Sequence, residues 1–216
     1  MVNETLYDAA FLATHEQYRP AIEAIADTIL SMEGPGSIVD VGCGTGFLVE
    51  ALRRRGFDAR GIDGTREAER VWPAEHRDAY AIADLTDAEV DLPRTDLVCS
   101  FEVGEHLPEE ASERFVGHLV RHRPRRVFFS AATPGQEGVG HVNGQPPRYW
   151  IERFARRGYA LDVSTTVVVR KRWREMICFQ WAEWFPKNFL TFVPAAATSR
   201  KIRPAWDALR LALRAR

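Results

Sequence analysis

Residues 39–46, Val-Asp-Val-Gly-Cys-Gly-Thr-Gly, leave this chain few folds to choose from. Ile38, Val39 and Val41 are β-branched, as a buried strand prefers. Gly42, Gly44 and Gly46 then turn the chain, and residues 47–55 continue with apolar side chains at helical spacing. A strand, a glycine turn and a helix form a cradle for a nucleotide, because missing side chains let a ligand lie against the backbone and the helix N–H groups. The dinucleotide fingerprint G-x-G-x-x-G would require glycine at position 47, which is Phe47. The spacing here is G-x-G-x-G, with Asp40 just before it.

The pattern continues downstream. Residues 59–63 read as a second strand ending in Asp63, where a doubly wound sheet puts the carboxylate that accepts ribose hydroxyls. Residues 80–85 read as a third strand, again with an acid, Asp84, and residues 95–102 as a fourth, with Asp96 near its start. Together these resemble motif I and its sequels in the class I S-adenosylmethionine (SAM) methyltransferases, over about residues 36–193. The resemblance implies SAM as cofactor and a Rossmann-like seven-stranded sheet in the order 3-2-1-4-5-7-6, its last strand antiparallel. It assigns cofactor contacts to Asp40, Gly42, Cys43, Gly44, Gly46, Asp63, Asp84, Leu85 and Glu102, with Asp84 and the Leu85 N–H reading adenine. It also implies that a helical leader folds over the cofactor or the substrate mouth.

Strands and helices alternate along the chain, which predicts a doubly wound α/β sheet. Residues 1–35 form the leader: Ile22, Ile25, Ala26, Ile29 and Leu30 make a helical stripe, and Pro20 suits a first turn. Tyr7, Phe11, His15 and Tyr18 either line the site or pack the lid. Within residues 36–194, residues 108–121 and 148–157 read as helices and 134–147 as a Gly- and Pro-rich loop. Residues 125–132, 159–170 and 188–193 read as strands five, six and seven, with a Trp-rich insertion between the last two. Residues 195–216 form a basic amphipathic tail, with Trp206, Leu209 and Leu213 on one helical face. Such a tail either packs on its own domain or meets an acidic partner, RNA or a membrane surface.

Composition narrows the classes. A chain of 216 residues, 45% hydrophobic and 27% charged, suits one soluble domain with appended segments. A net charge of −1 gives no general pull toward nucleic acid or anionic membranes. Cys43, Cys99 and Cys178 show no C-x-x-C spacing, which argues against a disulfide framework or zinc ribbon and for reduced, intracellular thiols. No apolar stretch approaches a membrane span, and Met1-Val2-Asn3-Glu4-Thr5 does not begin a secretory signal, so a cytoplasmic location is expected.

Methyl transfer from a sulfonium is an in-line displacement, with the nucleophile held about 3 Å from the methyl carbon. A hydroxyl acceptor also needs a base, or a metal that acidifies it. Ligands of such sheets lie beyond the carboxyl ends of the strands, which directs attention to Glu102, Glu105 and His106 after strand four and His141 after strand five. These four resemble the Glu-x-x-Glu-His…His set by which small-RNA 2′-O-methyltransferases hold a divalent metal; the first portion recurs in ubiquinone-type and natural-product O-methyltransferases. Carboxylates with imidazoles suit Mg²⁺ or Mn²⁺. Without a metal, His106 is a general base, Glu102 a backbone anchor near the methionine end, and His141 a loop-ordering residue.

Amino-directed DNA methylases carry an Asn or Asp, two prolines and an aromatic after strand four, and cytosine-carbon methylases a Pro-Cys nucleophile. Phe101-Glu102-Val103-Gly104 matches neither, so oxygen methylation is expected. Asn143, Gln145, Arg148, Tyr149 and Trp150 are candidate acceptor contacts, and residues 170–174 with Trp181, Trp184 and Phe185 either grip planar or anionic groups or cover the sheet. The reading is O-methylation of a small-molecule or sugar-like acceptor, with His106 as base. RNA 2′-O-methylation and SAM binding without turnover are its alternatives.

Overall fold

The computed structural model describes residues 9–195 together with Asp207, Leu209 and Arg210. Helix α1 (Ala9–Thr14) and a 3₁₀ turn lead into α2 (Arg19–Glu33), which has Pro20 in its first turn. Then follow β1 (Ser37–Val41), α3 (Phe47–Arg54), β2 (Asp58–Asp63), α4 (Arg66–Val71), β3 (Tyr80–Ile82), β4 (Leu97–Phe101), α5 (Ser112–Val120) and β5 (Arg126–Ser130). The chain continues with α6 (Pro147–Arg156), β6 (Tyr159–Leu161), α7 (Val163–Glu175), α8 (Trp184–Asn188) and β7 (Leu190–Pro194).

The seven strands form one sheet in the order β3-β2-β1-β4-β5-β7-β6. The first five are parallel, and β7 runs antiparallel to both β5 and β6. Side chains alternate between two buried faces, as the pleat dictates. Val39, Val41, Val98, Val127 and Phe129 share one core with α5 and α6; Ile38, Leu97, Cys99 and Phe128 share the other with α2, α3 and α7.

Two expectations meet a different structure. Of residues 159–170, only Tyr159–Leu161 is strand; the rest begins helix α7. Asp162 caps that helix by accepting from Thr165 N at 3.1 Å, and Thr166, Val169, Arg170 and Trp173 are its buried face. A run of Val and Thr favours strand locally, but the i, i+3, i+4, i+7 burial pattern and the cap decide for helix. The leader is also more than a lid. Ala21, Ala24, Ile25 and Ile29 of α2 belong to the same core as Ile38, Leu52 and Phe128.

The tail lies almost wholly outside the described residues, as does Tyr7; Leu209 is buried in the α5–α6 core. Among the described residues no helix is long and apolar enough to cross a membrane.

Candidate functional site

The carboxyl ends of β1, β2, β4 and β5 open into a cavity of about 770 Å³, covered by residues 11–25 and by Trp184 and Phe185 of α8. At one end, Gly42 N and Cys43 N donate to Ile62 O at 2.7 and 3.1 Å, folding the glycine turn against β2. Gly42 has φ +83° and Val103 lies where a Cβ would point, so glycine is required there on two counts. Asp63 is fixed by the turn itself: Gly44 N donates to Oδ2 at 2.7 Å and Thr65 N to Oδ1 at 2.8 Å. Burial still raises its carboxyl above the ordinary value, against the pull of the Thr65, Gly44 and Gly64 amides.

Asp40, Gly42, Cys43, Gly44, Asp63 and Leu85 all line the cavity. Gly46 and Asp84 do not. Gly46 turns the chain into α3 at φ +76°. Asp84 Oδ1 accepts from Thr86 N and Thr86 Oγ1 at 2.9 and 2.7 Å, which leaves Leu85 and Thr86 as the residues facing the cavity.

At the other end, a 3₁₀ turn (Gly104–His106) after β4 carries Glu105 and His106, and the loop after β5 brings His141 beside them. The two imidazole rings lie edge to face with centroids 4.9 Å apart. One ligand atom each from Glu105, His106 and His141 falls within 4.8 Å of the others. His106 Nδ1 lies 3.3 Å from Gly140 O and His141 Nδ1 3.0 Å from Gln136 O. A carbonyl only accepts, so each ring carries a proton on Nδ1. Burial, then the neighbouring His141, lowers His106 to about 4. Its imidazole is therefore neutral at pH 7, the state that a base or a metal ligand needs.

Glu105 is 0% exposed, and neither carboxylate oxygen has a hydrogen-bond donor of proper geometry. The Glu105 and Ala132 amides lie near enough to favour the anion, but burial above all, then the Glu102 charge, raises Glu105 well above the carboxylate range. A buried carboxyl between two imidazoles is a donor set that fits a divalent transition metal such as Mn²⁺ better than Mg²⁺, which takes oxygen ligands.

Glu102 lines the cavity but stands outside that trio. Gln136 Nε2 donates to its Oε2 at 2.9 Å, and Asn188 Nδ2 reaches both oxygens at 3.2 Å. Its backbone sits at φ +54°, held by Glu102 N donating to Ser130 O at 3.0 Å. Gln136 and Asn188 belong to no short motif and are brought to Glu102 only by the fold.

The expected acceptor contacts need correction. Trp150 is a core residue against Phe129, and buried Asn143 donates to Ser112 Oγ at 3.0 Å and Gly104 O at 3.3 Å. Gln145 Nε2 donates to Asn143 Oδ1, Tyr149 packs under the Arg153 guanidinium and Arg148 pairs with Glu152, so none of these lines the cavity. These residues build the wall behind the site. Phe11, His15, Tyr18, Phe101, Trp184 and Phe185 are instead among the aromatic residues that line the cavity. Of the basic and aromatic segment, Arg170 is buried on Phe189 O at 2.8 Å and Trp173 on Thr28 Oγ1 at 2.9 Å, while Trp181 is exposed.

A seven-stranded sheet with an acid-bound glycine turn at its switch point defines a nucleoside-binding α/β protein. A family described as a methyltransferase domain matches residues 13–163, most of the chain. The ubiquinone biosynthesis O-methyltransferase of Alkalilimnicola ehrlichii is 36% identical over 97 residues, 42% of this chain and 39% of that one. The match thus spans about two fifths of that relative's length. Among solved structures, the sugar N-methyltransferase KedS8 from Streptoalloteichus superposes with TM-score 0.57 at 16% identity, covering 82% of this chain and 87% of that one. The magnesium protoporphyrin IX methyltransferase of Synechocystis, with S-adenosylhomocysteine (SAH) bound, gives 0.56 at 17% identity over 67% and 74%. These two show the shared fold. The chain belongs to the class I SAM-dependent methyltransferase family.

Proposed function

We propose that this protein transfers the methyl group of SAM to an oxygen of a small, uncharged acceptor, with His106 taking the proton. The convergence of Glu105, His106 and His141 beside an aromatic-walled cavity carries this reading. Asp63 takes the ribose hydroxyls, the turn from Gly42 to Gly44 receives the methionine end, and Leu85 and Thr86 meet the adenine. Phe11, His15, Tyr18 and Trp184 exclude water from the acceptor, which strengthens the polar contacts made there. His106 lines the cavity with its Nδ1–H on Gly140 O, and a neutral imidazole can accept a proton.

A divalent cation held there by Glu105, His106 and His141 would occupy His106 Nε2 and so replace that residue as base, supplying Lewis acidity that lowers the pKa of the attacking hydroxyl. Glu102, held by Asn188 and Gln136, sets the charge beside that trio rather than joining it. The shared O-methyltransferase name of the curated relatives supports oxygen as the target. Among the described residues no Arg or Lys lines the cavity, which favours an uncharged acceptor over the phosphodiesters of RNA.

The test is label transfer from methyl-labelled SAM to a panel of catechols, sugars and total RNA, with and without chelator. Label in a small solute is expected, and His106→Ala should lower it about a hundredfold or more while SAH affinity stays unchanged. Label in RNA would replace this reading with the 2′-O-methylating one, and label in nothing with cofactor binding alone.

A further inference from the structure

The glycine turn is braced from below by two aromatic residues that no motif marks. Trp72, just after α4, donates Nε1–H to Gly44 O at 2.8 Å. Tyr80, the first residue of β3, donates its hydroxyl to Gly46 O at 3.2 Å. The two rings stack on each other, with centroids 4.5 Å apart and planes 14° from parallel.

Room for this pair is built into the backbone. A Cβ at Gly46 would lie 2.6 Å from the Tyr80 hydroxyl oxygen, and one at Gly61 2.8 Å from Tyr80 Cδ1. Two glycines on different elements therefore make the slot that the tyrosine fills. Gly44 is consequently gripped twice: its N–H by the Asp63 carboxylate and its carbonyl by Trp72. Gly44 and Gly46 both sit at positive φ, +48° and +76°, where an untethered glycine would sample many other conformations. Neither Trp72 nor Tyr80 lines the cavity, so neither is expected to touch a ligand.

We propose that Trp72 and Tyr80 are positioning residues for the cofactor. They fix the two carbonyls of the glycine turn so that its amides and Asp63 already face the nucleoside before it arrives. Ordering then accompanies folding rather than binding, and affinity rises by the ordering that binding no longer requires.

Calorimetric titration with SAH tests this without any acceptor. Trp72→Phe keeps a stacked ring and removes the donor; SAH Kd should rise about fivefold or more, the scale of one lost hydrogen bond. Trp173→Phe is the control, since Trp173 is 1% exposed and donates a comparable buried bond to Thr28 away from the cavity. That variant should lose stability yet keep its Kd within about twofold of the parent. An unchanged Kd in Trp72→Phe, or an equal loss in Trp173→Phe, overturns the proposal. Should Trp72→Phe fail to fold, Tyr80→Phe decides, because it removes one hydroxyl and no ring. A Kd raised about threefold or more supports the bracket, and an unchanged one overturns it.

Discussion

Asp40 sits 5% exposed at the end of β1, its Oδ1 accepting from the weak Cys99 thiol donor at 3.5 Å. Burial raises its carboxyl from 3.8 to about 7, against the Cys99 bond and helped by the charge of Asp63. Between those two values the folded chain keeps a proton that the unfolded chain has released. Stability of the cofactor-free protein therefore falls as pH rises from about 4 to about 7, and levels off above. Asp40→Asn removes the group that titrates. Thermal unfolding of that variant should show the slope flattened and a gain at pH 8 of up to about 4 kcal/mol, roughly three pK units at 1.36 each. An unaltered slope would mean that Asp40 is hydrated in solution. Asp40, Gly42, Gly44 and Asp63, which the fold brings to the cavity, were legible in sequence because glycine spacing and strand-end acids are local signals. Trp72, Tyr80, Gln136 and Asn188 were not, because each acts on a partner 28 or more residues away along the chain.

The elements divide in the same way. The octet around Gly44 specifies its strand and turn without help, and Asp63 falls at the end of β2 where the alternation puts it. Helix α7 is different, because Val and Thr lower its intrinsic helix propensity and invite a strand assignment. Tertiary burial of Thr166, Val169, Arg170 and Trp173 overrides that local preference. Its start depends on Asp162, which accepts from Thr165 N, Thr165 Oγ1 and Ser164 Oγ and pairs with Arg126 at 2.9 Å. Burial alone would raise the Asp162 carboxyl, yet Arg126 and Thr165 together hold it down to about 2. Its contribution is thus complete above pH 4 and is lost as pH falls through 2. Asp162→Ala should lower stability in urea by about 1–2 kcal/mol, the range of a lost N-cap. A smaller change would show that packing alone defines the helix start. Because α7 leads through α8 to Asn188, this cap also sits upstream of the clamp on Glu102.

At the scale of the whole molecule, charge and cavity point the same way. The chain carries a net charge of −1, and the walls of its cavity combine carboxylates, imidazoles and aromatic rings, with no Arg or Lys among the described residues. Tracking a polyanion takes several cations in register, and each one replaces a condensed counterion, so RNA affinity would fall steeply with salt. A cavity of this kind offers instead aromatic rings beside a few hydrogen-bonding groups, the lining of a small-molecule site. The electrostatic expectation is therefore twofold. SAH affinity measured calorimetrically should change less than about twofold between roughly 50 and 200 mM salt, since the Asp40 and Asp63 carboxyls of the cradle are buried and weakly screened. A fluorescent single-stranded RNA should show no binding tighter than about 10⁻⁶ M at 200 mM salt, because non-specific affinities of that size require a basic surface. Tighter RNA binding with a steep salt slope would move the acceptor from a small solute to a nucleic acid. The basic residues between 200 and 216 would then be the first to neutralise, since Arg200, Lys201, Arg203, Arg210, Arg214 and Arg216 face only Asp207 as an acid in that stretch.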